Sequence, residues 1–462
     1  RGSTQLRVTN STFVANQAGL SMGVLELSST LDSVIKLENL VVWDNDGTGD
    51  WGLIGRPNAG GIITIDNSLL QGSNGSGGSW NSSYGTDLGG NIETDPGFLQ
   101  SPVGTAPNVS GDFRLNLGSP AIDAGLNSAV NFATDYDSNP RIFNTTVDMG
   151  AYEMQVVCPP GGTTRLYVND TASGTGASWA DALPSLQNAL TLAQRCPSNS
   201  IDEIWVAQGT YYPDDGAYQN DGDREAAFEL QNGLAIYGGF QGNETSLSQR
   251  DPRHYFTTLS GDIDQTDNTD AHDLVETPAD IVGDNSYHVV VGSGTDSSAM
   301  LDGFAITGGQ ANGSPATKQH EGGGFFAEAG SPTLNNLTLV GNIAQEGGAM
   351  TLVRGSNPAI TDASFRGNAA GDYGGALHNE SSNPTLTNVQ MSGNRAAVGG
   401  GAIYNLASSP KLTNVTLAGN AAGGTVSLAS VTPAAVNIAP VGGGIFNFTG
   451  SKPEIRNSVI WN

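Results

Sequence analysis

Ser331-Pro332-Thr333-Leu334-Asn335-Asn336-Leu337-Thr338-Leu339-Val340-Gly341-Asn342 returns in altered form at 357–368, 383–394 and 409–420. Gly-Asn stands at 341–342, 367–368, 393–394 and 419–420, and proline at 332, 358, 384 and 410, each step being 26 residues. Pro453 follows Pro410 after 43, which is 26 plus a 17-residue insertion placed near 425–440. Down the columns, Leu334, Ile360, Leu386, Leu412 and Ile455 are apolar, as are Leu339, Phe365, Met391, Leu417 and Ile460. Asn336, Asp362, Asn388, Asn414 and Asn457 form a polar column between them. The flanking apolar positions, such as Leu337 and Leu339, are two apart, the period of a strand.

A Gly-Gly pair near 347, 374 and 400 marks a second turn. After it, Ala376–Asn379, Ala402–Asn405 and Gly444–Asn447 read as a second short strand, with His378 in a column with Leu352 and Tyr404. Helical repeats need glycine-free helices, which this pattern does not allow. Short strands punctuated by Gly and Asn, which supply corners with positive φ, make one coil of a β-solenoid. Like residues then stack every ~4.8 Å, and the polar residue in mid-strand reads as a side-chain ladder.

The same columns open the chain. Val8-Thr9-Asn10 leads to Phe13, Leu37-Glu38-Asn39 to Val42, and Ile65-Asp66-Asn67 to Leu70. The predicted organisation is terminal coils of one β-helix at 1–79, a C-terminal cap at 80–154 and a linker at 155–163. An N-terminal cap with irregular coils follows at 164–285, then regular coils at 286–462. One helix is predicted over Ser178–Gln194, with Ser178 as N-cap and Trp179, Leu183, Leu186 and Leu190 on one face. It lies over the first coil.

Three stretches carry a family resemblance. Residues 203–211, 236–245 and 301–309 resemble the start of bacterial surface proteins with right-handed parallel β-helix domains. The coils from 331 are similar to polymorphic outer-membrane-protein repeats. Gly118–Gly125 and Val147–Glu153 resemble the end of choice-of-anchor β-helix proteins, although the anchoring tail of that family does not follow Glu153. The resemblance implies an all-β, right-handed parallel β-helix in a secreted or surface-associated setting. It names no reaction.

Composition narrows the function. Net charge is −27, and charged residues are 14% against a usual value of about 25%. Too few Lys and Arg are present for a nucleic-acid binder. No run of ~18 apolar residues offers a membrane-spanning helix. No signal-peptide pattern opens the chain, and Arg1 lies close to a repeat-like strand, which reads as a processed or trimmed start. Cys158 and Cys196 flank one compact segment. They read either as a single disulfide, implying an oxidising compartment, or as two buried thiols.

Asn268-Thr269-Asp270 resembles the first motif of polygalacturonase-like enzymes, but its companion motifs are absent from the coils. The five histidines, 254, 272, 288, 320 and 378, show no shared column, so no catalytic constellation is predicted. Metal binding has two candidates. Asp262, Asp264, Asp267, Asp270 and Asp273 crowd one loop, and hard oxygen ligands in a loop suit Ca²⁺. Asp135, Asp137 and Asn139 repeat the spacing of many calcium loops. Solvated acidic loops are the alternative for both.

The functional expectation is structural. Ile455, Val459, Ile460 and Trp461 at one end, and Val8 and Phe13 at the other, are expected to expose unpaired strand edges with matching apolar columns. Copies stacking head to tail, or one period of a tandem array, would make an extracellular filament, sheath or adhesive appendage. A solitary surface adhesin that binds polysaccharide, with Trp43, Trp80 or Trp461 stacking on sugar, is the alternative.

Overall fold

The computed structural model describes residues 5–18, 25–26, 34–47, 54–55, 62–102, 110–116, 119–143, 145–155, 159, 162–196, 201–216, 219, 221–424, 426 and 441–461. The chain divides into two compact units, 1–156 and 157–462. Both are parallel β-helices.

In the larger unit three long sheets and a shorter one run the length of the stack, all parallel between coils. Nine strands from Arg165–Val168 to Glu454–Arg456 form the first sheet and eight from Gly209–Tyr211 to Val459–Trp461 the second. Seven from Phe228–Glu229 to Ile445–Phe448 form the third, and five from Gln310–Ala311 to Ala421–Ala422 a short fourth. One coil therefore runs Thr333–Asn335, Thr338–Val340, Ile343–Glu346 and Met350–Val353. The next coil lies on it in register, Leu334 against Ile360 and Leu339 against Phe365.

These columns fill the interior. Leu334, Leu386, Leu339, Phe365 and Met391 are fully buried. The Asn336 column lies at the corner between two strands rather than within one. Asn336, Asp362, Asn388, Asn414 and Asn457 all take φ between 46° and 57°. Asn and Asp tolerate that conformation because their short side chains bond locally. Asn388 Nδ2 donates to Asp362 Oδ1, and Asn414 Nδ2 to Asn388 Oδ1, both at 3.0 Å. A second ladder, of Asn342, Asn368, Asn394 and Asn420, is buried inside the next turn. Asn379, Asn405 and Asn447 make a third, with steps of 2.8 Å.

Glycine is required at the Gly-Gly turn. A Cβ on Gly375 would stand 2.3 Å from the Gly401 carbonyl oxygen, and one on Gly401 2.3 Å from that of Gly443.

One expected column is displaced by a residue. Ala344 pairs with Ala370, but Glu346 pairs with Tyr373, so the Ala369–Tyr373 strand carries one extra residue. His378 therefore faces Thr351, not Leu352, and Tyr404 on its other side. The turn after Glu380 is one residue shorter, and Ser356 meets Ser382 at 26 again. The two shifts cancel, which hides them from a count of prolines and asparagines.

The predicted helix is shorter than 178–194. Ser178 precedes a single 3₁₀ turn, Trp179–Asp181, and the α-helix is Leu186–Arg195, capped by Ser185 Oγ accepting from Asn188 N. Pro184 explains the break, since the residue before proline is forced out of the helical region. Leu183 instead bridges Val168 as an extra strand residue. The helix buries Leu186, Ala189 and Leu190 against the first strands. Trp179 joins Tyr167, Trp205 and Phe240 in an aromatic cluster beside it.

In the smaller unit, Gln5–Val14, Val34–Trp43 and Ile62–Asp66 pair in parallel, Val8 on Leu37 and Leu37 on Ile65. Asn10, Asn39 and Asn67 turn their corners with φ of 49°, 56° and 41°. The segment expected as a cap over the last coil divides in two. Thr86–Asp87 and Ile92 pair with that coil, whereas residues 124–126 and 150–151 bond to the corners and strands along the side of the stack. There Asn67 Nδ2 donates to the Ala124 carbonyl, Asn39 Oδ1 accepts from Leu126 N, and Thr12 Oγ1 accepts from Ala151 N. The Asn67 and Asn39 corners thus offer hydrogen bonds to the chain at Ala124 and Leu126.

Candidate functional site

The acidic loop after Ser260 is held by its own carboxylates. Asp262 is buried and accepts from the amides of Thr266 and Asp267. Asp264 accepts from Thr266 Oγ1 and Asp284 N, and Asp267 from Val282 N and Asn285 Nδ2. Asp270 accepts from the His272 and Leu274 amides, and Asp273 from Thr210 Oγ1. Burial, with the Asp262 and Asp264 charges nearby, pushes the Asp267 carboxyl up to about 6. These bonds tie the loop to its surroundings.

The second acidic motif is a tight turn. Asp135 Oδ1 accepts from Asn139 N, its Oδ2 from Glu153 N, and Asp137 points into solvent. Beside it Arg141 Nη1 donates to Glu153 Oε2 at 3.1 Å, both side chains nearly inaccessible. Arg141 also donates to the Asp148, Gly150 and Tyr152 carbonyls. Burial pushes the Glu153 carboxyl up to about 8 and that of Asp148 to about 6.

The coil edges stand as follows. Ile455 is 41% exposed, Val459 and Ile460 each 56% and Trp461 73%, whereas Leu412 and Leu417 one coil below are 1%. At the edge of the smaller unit, Val8 and Phe13 are half-buried and packed on the Leu37–Leu70 core. Trp80 packs on the same core and donates to the Gly85 carbonyl, so it is a packing residue. Cys196 is buried and disulfide-bonded; Cys158 lies outside the described residues, as does the 425–440 insertion apart from Val426.

A cluster that the sequence reading missed lies where the fourth sheet meets the third. Glu321, Glu346, Tyr373 and Gly399 follow one another from coil to coil. His320, Glu321 and Glu346 bring ligand atoms within 4.8 Å of one another, the one such group of His, Cys, Asp or Glu among the described residues. His378 Nδ1 is 3.2 Å from Glu346 Oε2, and Lys318 Nζ donates to Glu321 Oε1 at 2.6 Å. Burial works against the Glu346 carboxylate, but His378, His320 and Lys318 hold its carboxyl below the usual range. His288 stands behind, its Nδ1 3.0 Å from the Gly322 carbonyl and its ring stacked on Phe326. Burial pushes its imidazole down to about 4, so it is neutral. Aligning the coils on Gly-Gly, not on Pro and Asn, places Glu321 and Glu346 in one column, which is the signal that was available.

A groove of about 800 Å³ runs beside the Asn336, Asp362 and Asn388 corners, with residues 247–253 as its far wall. Comparison with protein-family models, curated proteins and solved structures finds no match for this chain.

Proposed function

We propose that this chain is a structural β-helix protein of an extracellular assembly that grows by coil-on-coil stacking, either as a head-to-tail subunit or as one period of a tandem array. The observation that supports this is the coil-on-coil register itself: Ile455 stacks on Leu412 and Ile460 on Leu417, continuing columns that are buried throughout the coils below. An edge strand with bare hydrogen-bonding groups and an apolar face is a template for another strand. Full burial stabilises each such side chain by roughly 1.5–3 kcal/mol.

The Gln5–Val14 strand of a second copy, or of a following period, matches those columns. Ile455, Asn457 and Ile460 have the spacing of Val8, Asn10 and Phe13, and both asparagines turn left-handed corners, φ 46° and 49°. In that register Glu454 meets Arg7 and Trp461 meets Val14. Such a head-to-tail contact does not close on itself and grows a fibre. The disulfide at Cys196 suits an oxidising, extracellular setting.

Light scattering and electron microscopy over a concentration series test the proposal. Growth into fibres is expected, and Ile460→Asp should stop it while circular dichroism stays unchanged. A chain that remains monomeric at every concentration overturns the reading.

A second reading, carbohydrate binding, rests on the groove beside the corner asparagines. Retention on immobilised polysaccharide that Asn388→Leu abolishes would support it, and passage through the column unretarded would remove it.

A further inference from the structure

We infer that His320, Glu321 and Glu346 form a binding site for a divalent transition metal of the zinc class, with His378 positioning Glu346. The site does not depend on the assembly reading above.

The residues come from successive coils. The parallel bridge between Glu321 and Glu346 places two carboxylates one above the other, and the His320 carbonyl accepts from Gln345 N and Glu346 N, fixing His320 beside them. Two stacked carboxylates repel, and stacking them in a half-buried corner calls for a cation. Lys318 supplies one charge, on Glu321 Oε1 alone.

Part of the ligand set has no partner. Glu321 is 2% exposed, and its Oε2 is buried without a hydrogen bond. His320 Nε2 is 3.6 Å from Glu321 Oε1, and its Nδ1 is buried and unpartnered. His378 is also 2% exposed; neither ring nitrogen makes a well-aligned hydrogen bond, although Nδ1 is 3.2 Å from Glu346. Buried polar atoms of native proteins are almost always satisfied, so an orphaned Glu321 Oε2 in a group with a second carboxylate and an imidazole points to a missing ligand. One divalent cation would satisfy Glu321 Oε2, His320 and Glu346 together.

The donor set selects the metal. Imidazole nitrogen with carboxylate oxygen suits zinc and its neighbours, whereas calcium takes oxygen alone. Ligand atoms ~2.0–2.1 Å from a tetrahedral zinc stand about 3.4 Å apart, so a group already within 4.8 Å needs only side-chain rotation to close. His378 on Glu346 has the place of an outer residue that orients a ligand.

The test uses the full chain, stripped with EDTA and dialysed, then titrated with Zn²⁺ by calorimetry and with Co²⁺ by visible absorption. One ion per chain is expected, with Co²⁺ bands of the intensity that four-coordinate sites give and no competition from Ca²⁺. Glu346→Gln and His320→Gln should each weaken binding at least about 100-fold, and His378→Phe about 10–100-fold. Lys318→Gln should tighten it, a result that a purely structural cluster would not give. Unchanged apo melting temperatures establish that the variants fold. Absence of stoichiometric binding, or weak binding at several sites that none of the variants alters, overturns the assignment.

Discussion

Asn368 Nδ2 donates to Asn394 Oδ1 at 2.9 Å, one coil away, and to the Leu339 carbonyl at 2.9 Å in the coil on its other side. Its own Oδ1 accepts from the amide and the side chain of Asn342, both at 3.0 Å. One buried residue thus ties three coils together. Its exposed counterpart, Asn388, makes single bonds to the side chains above and below.

The ladders should therefore differ in weight. Asn368→Ala leaves two or more buried groups unpaired, at about 1–3 kcal/mol for each, so a loss of about 2–4 kcal/mol is expected. Asn388→Ala should cost about 1 kcal/mol, mostly from the left-handed corner. Urea unfolding of both variants measures this, and equal losses would contradict the assignment of the inner ladder as the stronger one.

Acidity should affect the smaller unit through Glu153. Its folded carboxyl titrates at about 8, against 4.5 in an ordinary environment, chiefly through burial and then the Asp148 charge. A raised folded value means that the folded state holds the proton longer. The stabilisation is present below about 4.5 and is lost as pH rises through about 8. The melting temperature should fall between these limits, and Glu153→Gln, which mimics the protonated acid, should flatten the fall. A profile that rises with pH in the wild type, or is unaltered in the variant, would contradict this.

Gly375→Ala tests the Gly-Gly turn. The added carbon would lie 2.3 Å from the Gly401 oxygen, a backbone atom with no room to move. The same change at Gly393, whose nearest neighbour is 4.0 Å away, carries only the strain of its positive φ. Thermal melts should show the first variant losing at least about 3 kcal/mol and the second about 1.

Calcium distinguishes a self-held acidic loop from one built around a cation. Asp262 and Asp267 already accept two hydrogen bonds each from the protein. Millimolar calcium, at matched ionic strength, should shift the melting temperature by less than about one degree. A rise of several degrees that Asp267→Asn abolishes would show that these carboxylates turn to a cation when one is offered.

The repeat itself was legible because each column is a local pattern copied along the chain. Leu334 and Ile360 must face the same interior, and parallel in-register stacking makes their spacing constant. Polar residues at the corners were visible as a column, but their position between strands was not, since Asn336 follows Asn335 without any break in the pattern. Pro184, by contrast, announced the short helix, and a stricter weighting of proline would have found its start at Leu186.

By itself, then, the sequence determined the stacking: period, apolar columns, ladder residues and the glycine turns all follow from one coil having to fit the next. Tertiary structure alone decided what meets outside those columns. His288, His320 and His378 are 32 and 58 residues apart and share no period, yet successive passes of the chain bring His320 and His378 to Glu346 and His288 to the Gly322 carbonyl beside them. A single extra residue between Ala370 and Tyr373 moves His378 from beside Leu352 to beside Thr351, and so to the opposite face of its strand. Likewise the chain at 124–126 bonds to the side of its stack because Asn39 and Asn67 offer it hydrogen bonds there, an attraction between segments far apart in sequence that no repeat encodes.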